Sequence, residues 1–189
     1  MPAFAGGISS QTFATLLEAG NISGAVNLLQ PRVQEIARGL AANAAGAAGL
    51  LEYHLQQAFF AIAHGLWARS GTDQWEITSE VRGQREGTST RADFLITVGN
   101  QPARFYAFEF GVYRSTWKTT LKSAVIDKLK QANKYFDVAR NEPATLITAV
   151  IWSEEGEILS IAGPYSKATA SQKVAVLLSE RCQGWQELL

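Results

Sequence analysis

Residues 92–112 read ADFLITVGNQPARFYAFEFGV. Two runs rich in aromatic and β-branched residues, 92–98 and 104–112, flank a turn-forming segment, which is the pattern of a β-hairpin. With the loop centred near Gln101, residues equidistant from Gln101 lie opposite each other on the two strands. The register of this hairpin therefore predicts which side chains share a face of the sheet.

The rest of the chain alternates helical and strand patterns around this hairpin. The predicted helices cover 9–19 with Ser10 as N-cap, a stretch that begins at Ser23, 32–43, 49–69, 119–140 and 169–182. Pro31 either ends the helix that begins at Ser23 or lies in the first turn of the next helix. The predicted strands cover 74–82, 92–98, 104–112, 145–152 and 157–162, with a polar loop at 83–90. We therefore predict one compact α/β domain with a mixed β-sheet flanked by helices, divided into an N-terminal helical extension (1–48) and an α/β part (49–189).

The composition limits the class of protein. A chain of 189 residues with 47% hydrophobic residues fits one domain with a packed core. Its single cysteine, Cys182, excludes an intramolecular disulfide and a multi-cysteine zinc site, and it favours a reducing compartment, the cytoplasm. The sequence has no run of about 18 apolar residues, so we expect neither a membrane span nor a membrane partner.

Charge is distributed unevenly along the chain. The formal net charge is zero, with 17 basic and 17 acidic residues. Residues 82–140 contain eleven Lys and Arg residues against five acids, so this segment is basic and its flanks are acidic. A basic segment of this kind favours contact with nucleic acid or another acidic partner. Chance clustering on a solvated helix face is the competing interpretation.

Two acids fall opposite each other in the predicted hairpin. Asp93 and Glu109 are equidistant from Gln101 and have apolar neighbours on both sides. Two like charges on one apolar face are unfavourable unless a cation lies between them, and carboxylate oxygens suit Mg²⁺. The competing interpretation is a register error that leaves one acid at a solvent edge. Glu52, on the predicted 49–69 helix, is a third available acid.

The predicted helix 119–140 carries polar residues along one flank of its apolar stripe. Lys128, Gln131 and Tyr135 follow one another there at helical spacing. A lysine at the edge of the core, next to a glutamine and a tyrosine, suits contact with a phosphate or the positioning of a water. The alternative is a lysine and a tyrosine that extend their polar ends from the helix border into solvent.

These elements, in this order, resemble the PD-(D/E)XK nuclease superfamily, whose restriction-endonuclease-like core is a helix, three strands, a helix and a strand. The resemblance covers about residues 49–152. It implies that Glu52 is the acid of the first helix, Asp93 the acid of the second strand and Glu109 the acid of the E-x-K element. Residues 131–135 are similar to the Q-x-x-x-Y element of the RecB-like exonuclease branch.

One position departs from the family pattern, because Gly111 stands where the lysine of E-x-K would be. Some members supply this lysine from the following helix, and the absence of a side chain at Gly111 leaves room for it. Lys128 is the best substitute because it shares a flank with the Q-x-x-x-Y element. Lys118 and Lys122 are weaker candidates.

The resemblance implies Mg²⁺- or Mn²⁺-dependent hydrolysis of phosphodiester bonds in DNA. The residues expected at the catalytic site are Glu52, Asp93, Glu109, Lys128, Gln131 and Tyr135. The expected metal ligands are Asp93, Glu109 and the backbone carbonyl of Phe110. The residues expected to contact DNA phosphates are Arg82, Arg85, Arg91, Lys118 and Lys122.

Two alternatives to a nuclease stay open. A catalytically inactive nuclease-fold module would bind nucleic acid or a partner protein without cutting, as the missing E-x-K lysine would allow. A non-enzymatic interaction protein would use the basic centre of the chain to meet an acidic partner. In the nuclease interpretation, residues 1–48 would serve homodimerisation or hold the substrate.

Overall fold

The computed structural model describes residues 7–43, 49–71, 75–85, 88–99, 104–116, 119–135 and 145–186. This part of the chain forms five helices and five strands. In chain order they are α1 (Ser10–Glu18), α2 (Ile22–Asn43), α3 (Glu52–Ser70), β1 (Trp75–Arg85), β2 (Thr88–Val98), β3 (Arg104–Tyr113), α4 (Leu121–Tyr135), β4 (Thr145–Ser153), β5 (Ile158–Ser166) and α5 (Lys167–Gln186).

The five strands form one mixed sheet in the order β1-β2-β3-β4-β5. The first three strands are antiparallel neighbours, β3 and β4 run parallel, and β5 returns antiparallel to β4. Because parallel neighbours need a long crossover connection, α4 lies between β3 and β4 in the chain. The predicted α/β class, with a mixed sheet flanked by helices, is confirmed.

The predicted hairpin register is also confirmed. Phe94 of β2 pairs with Phe108 of β3, and the pairs from there to the turn keep the same register. Asp93 and Glu109 are the next residues of the two strands beyond this pair. The alternative of a register error is therefore wrong, and the two acids do lie on neighbouring strands.

Helices cover both faces of the sheet. On one face α1, α2 and α3 share a buried cluster with Phe110 and Trp152, so the N-terminal helices belong to the same core as the sheet. On the other face α4 and α5 pack against Ala149 and Ile151. Alternate residues of β4 thus enter different cores, as the period of two along a strand requires. None of the helices in the described ranges has the length and apolarity needed to cross a membrane.

Two helix predictions are wrong. The helix α2 runs unbroken through Pro31, which is exposed, while Leu29 and Val33 on its other side are fully buried. Packing of this apolar face offsets the hydrogen bond that proline cannot donate. The N-cap of α1 is Ser9 and not Ser10, because the Ser9 hydroxyl accepts a backbone hydrogen bond of 3.2 Å from the first turn.

The predicted polar loop at 83–90 is largely wrong as well. β1 continues to Arg85, β2 begins at Thr88, and these two residues are themselves a pair of the ladder. Cross-strand hydrogen bonds therefore extend the hairpin into a segment whose sequence does not show the residue pattern typical of a strand. β5 likewise continues past its predicted end at 162, to Ser166.

Candidate functional site

Four of the predicted site residues, which belong to four different elements, lie close together. The ring of Phe110 in β3 packs edge-on against Phe59 of α3, with ring centroids 5.1 Å apart. Because side chains alternate along a strand, Glu109 and Gly111 face α4 instead. The four residues, which act on one another electrostatically, are Glu52 of α3, Asp93 of β2, Glu109 of β3 and Lys128 of α4.

The carboxylate of Asp93 is bonded to the backbone of the neighbouring strand. Its Oδ2 accepts a hydrogen bond of 2.8 Å from the N–H of Phe110. This contact crosses from β2 to β3 directly beside Glu109, so it holds the two acids next to each other. It also satisfies part of the hydrogen-bonding capacity of an acid that is half-buried in an apolar hairpin.

Glu109 is the most deeply buried of the three acids. Only 3% of the residue is exposed, and its Oε1 has no hydrogen-bond partner within the described part of the chain. Burial, together with the charges of Asp93 and Glu52, raises the pKa of Glu109 to about 9, although Lys128 opposes the shift. Without a bound cation, Glu109 therefore carries a proton at neutral pH, and this proton relieves the repulsion between the acids.

Lys128 reaches from α4 to the first turn of α3. Its Nζ lies 3.0 Å from both carboxylate oxygens of Glu52, and 16% of the lysine side chain is exposed. Burial raises the pKa of Glu52, and the ion pair with Lys128 lowers it by a smaller amount. The pair brings one cation into a group of three acids. Lys128 therefore lies beside the three acids.

The side chain of Lys128 fills the space over Gly111. A Cβ atom at Gly111 would lie 3.0 Å from Cε and 3.3 Å from Cγ of Lys128, and 3.0 Å from Cδ1 of Ile151. Such contacts are too close for a side chain at position 111 unless its neighbours move. The missing side chain in β3 and the lysine arriving from α4 are therefore two parts of one arrangement.

Three contacts fix the position of Glu52 on α3. Nδ1 of His54 accepts a hydrogen bond of 3.1 Å from the N–H of Leu51, which caps the helix, and His54 is a helix residue as expected. Arg114, just after β3, donates to the carbonyl of Leu50 at 3.1 Å. Gln56 donates to Oε1 of Glu52 at 3.3 Å. The sequence analysis did not assign Gln56 to the site. Its spacing of four residues from Glu52, which puts both residues on one face of the helix, could have indicated this contact.

The remaining predicted site residues are described only in part. Gln131 follows Lys128 by one turn of α4 and is half-buried. Lys122 lines a separate cavity between α4, β5 and α5. The side chains that lie outside the described part of the structure are those of Arg82, Arg85, Arg91, Lys118 and Tyr135.

The donor atoms at this site suit a divalent cation held by two carboxylates. In the part of the chain that is described, no three Asp, Glu, His or Cys side chains converge as a metal-binding cluster, and Glu52 is engaged by Lys128. Asp93 and Glu109 lie on neighbouring strands, and the unpartnered Oε1 of Glu109 is an available hard oxygen ligand. Mg²⁺ commonly uses one or two carboxylates together with water and substrate phosphate, so the residues fit such an ion.

The fold and the site define the chain as an α/β protein with a five-stranded mixed sheet and a cluster of three acids and one lysine around the buried Glu109. No protein-family model and no curated protein matches the sequence.

Proposed function

We propose that this protein is a PD-(D/E)XK-like nuclease that hydrolyses phosphodiester bonds of DNA with Mg²⁺ or Mn²⁺. The observation that carries the proposal is the position of Lys128, whose side chain crosses Gly111 and whose Nζ contacts Glu52 at 3.0 Å. A lysine thus stands beside Glu109 although the E-x-K position itself is glycine. The neighbouring Asp93 supplies the other acid that the motif requires.

The element order supports a restriction-endonuclease-like fold. A helix that carries an acid, α3, is followed by the antiparallel strands β1 to β3, the helix α4 and the parallel strand β4. This is the order of helix, three strands, helix and strand that the family resemblance implies. The positions of Glu52 on α3, Asp93 on β2 and Glu109 on β3 support this assignment.

Each residue of the site has a proposed role in the hydrolysis. Asp93 and Glu109, with the backbone carbonyl of Phe110, would hold the divalent ion. An ion bound there would lower the pKa of a bound water and offset charge on the scissile phosphate. Lys128 would orient the attacking water or contact the phosphate, while Glu52 and Gln56 hold the lysine in place. Gln131 and Tyr135 would form the adjoining wall of α4.

DNA is the proposed substrate because the basic residues concentrate between 82 and 140, the segment that also carries Asp93, Glu109 and Lys128. We propose that Arg82, Arg85 and Arg91 of the β1–β2 hairpin, with Lys118 and Lys122, contact the flanking phosphates. A cytoplasmic protein is what this function and the single cysteine lead us to expect.

A homodimer through the N-terminal helices is a further part of the proposal. The apolar faces of α1 and α2 are buried in the core that they share with the sheet. Dimerisation through these helices would therefore use their polar faces.

Cleavage of DNA tests the proposed function directly. We expect the protein to nick supercoiled plasmid or degrade single-stranded DNA with Mg²⁺ or Mn²⁺, and EDTA to stop the reaction. Retention of DNA at low salt without cleavage in either metal would contradict catalysis and support the inactive binding module. A protein that neither cuts nor retains DNA would leave only the non-enzymatic interaction protein.

Mn²⁺ binding is expected to strengthen by about tenfold per pH unit between pH 6.5 and 8.5, because Glu109 must lose its proton to become a ligand. The raised pKa of Glu109, about 9, keeps the ionised fraction small over this range and makes it grow with pH. Calorimetric titration with MnCl₂ at several pH values measures the slope.

Two variants with matched substitutions separate this effect from general changes in charge. Glu109→Gln should weaken Mn²⁺ binding and remove the pH dependence. Glu76→Gln, which changes an exposed acid of β1, should leave both as they are in the parent protein. A flat pH profile in the parent protein would contradict metal binding through Glu109.

A further inference from the structure

A cavity lies between α4, the edge strand β5 and α5. Its volume is about 380 Å³, which falls within the range of about 300–1,000 Å³ typical of small-molecule sites. Its lining comes from α4, β5 and α5. None of the four residues of the acid–lysine site belongs to this lining, so the cavity is a separate feature of the molecule.

The walls of the cavity are mainly aliphatic. Leu121, Val125 and Leu129 come from one face of α4, and Ile161 and Leu177 contribute from β5 and α5. An apolar group that enters such a cavity is removed from water, which favours its binding. Tyr165 is the single aromatic residue among the lining residues. A nucleobase in this cavity would therefore not be stacked between two aromatic rings. The lining therefore favours a ligand with an aliphatic chain over a nucleotide.

The charge of the lining favours an anion. Lys122 and Lys173 contribute two positive charges from different helices, and the lining residues include no acid. Ser160 and Tyr165 add hydroxyl groups that can donate hydrogen bonds to a carboxylate. Apolar walls that carry positive charge on two sides are complementary to an amphiphile with one anionic end.

We infer that this cavity binds a small amphiphilic carboxylate, with the aliphatic chain against α4 and the carboxylate near Lys122 and Lys173. The size of the cavity suits one small molecule, whereas a docked helix would need a longer groove. The test of this inference measures binding of a small molecule and does not depend on nuclease activity.

Calorimetric titration with decanoate, kept below its micelle concentration, tests the inference. We expect saturable binding of one decanoate per chain, and binding of 1-decanol weaker by about tenfold because the alcohol lacks the charge. No saturable binding of decanoate, or equal affinity for the acid and the alcohol, would overturn the inference.

Substitutions in the lining locate the binding. The double variant Lys122→Ala/Lys173→Ala should weaken decanoate binding by about tenfold and leave decanol unaffected. Leu177→Trp, which fills the cavity from α5, should prevent binding of both. Lys130→Ala, an exposed position of the same helix outside the lining, is the matched control and should bind like the parent protein.

Thermal unfolding establishes that each variant is folded before its binding is interpreted. Should Leu177→Trp not fold, Ala162→Phe fills the same space from β5. Decanoate binding that persists unchanged in a folded, filled variant would place the ligand elsewhere and overturn the assignment.

Discussion

Glu109→Gln is expected to abolish DNA cleavage and, in the metal-free protein, to raise the melting temperature at pH 8. The amide keeps the size of the carboxyl group but cannot supply the negative charge that a divalent cation requires. We expect the cleavage rate to fall by about 10³-fold or more, because a catalytic metal ion stabilises the transition state by several kcal/mol.

The gain in stability follows from the raised pKa of Glu109. The unfolded chain loses this proton near the ordinary value of 4.5, whereas the folded protein keeps it up to about pH 9. Between these values the folded state binds more protons, so the free energy of unfolding falls by about 1.4 kcal/mol per pH unit through this group. Glutamine does not titrate, so the stability difference between the two proteins is small near pH 4.5 and grows towards pH 9.

Thermal unfolding in EDTA at pH 5 and pH 8 measures this difference. We expect Glu109→Gln to melt close to the parent protein at pH 5 and more than about 5 °C above it at pH 8. Glu76→Gln, at an exposed position, should show no such dependence on pH. A Glu109→Gln protein that cleaves DNA at the parent rate would contradict the proposed function. One with the same melting shift at both pH values would contradict the protonated, buried carboxyl group.

Lys128→Ala is expected to lower the cleavage rate by about 10²- to 10³-fold, the usual effect of removing one positioned electrostatic group from a transition state. Adding Gly111→Lys to this variant should recover part of the lost rate. In the parent protein, the side chain of Lys128 occupies the space that a residue at 111 would need. Once Lys128 is truncated, a lysine in β3 can enter this space and supply the charge beside Glu109.

Stability measurements show whether the two positions share this space. Gly111→Ala alone should destabilise the protein by about 1–2 kcal/mol, because its Cβ crowds Lys128 and Ile151. The same substitution should cost less in the Lys128→Ala background, and this difference is the coupling energy between the two sites. Equal costs in both backgrounds would contradict the close packing of Lys128 on Gly111.

Lys130→Ala is the matched control for the cleavage assay, since Lys130 is exposed on the same helix. It should cut DNA at the parent rate. A Lys128→Ala protein that cuts as fast as this control would show that another lysine acts at the site.

Local pattern was sufficient to predict the hairpin and the composition of the acid–lysine site. The turn-forming sequence at 99–102 and the runs of β-branched and aromatic residues predicted the register, and the register placed Asp93 beside Glu109. Helical spacing likewise placed Lys128 at the edge of the apolar stripe of α4. These features depend on periods of two and 3.6 residues, which a sequence displays directly.

Tertiary structure alone decided the features that depend on distant contacts. Pro31 lies inside a helix because the core holds both sides of it, and Glu109 is protonated because burial and two neighbouring acids oppose its ionisation. The contact between Lys128 and Glu52 joins residues 76 positions apart. The cavity between α4, β5 and α5 is likewise lined by residues that are distant from one another in the sequence. The sequence alone thus determined which residues share a face. Packing decided which faces meet and how much water remains between them, and these two factors determine the charge of a buried group.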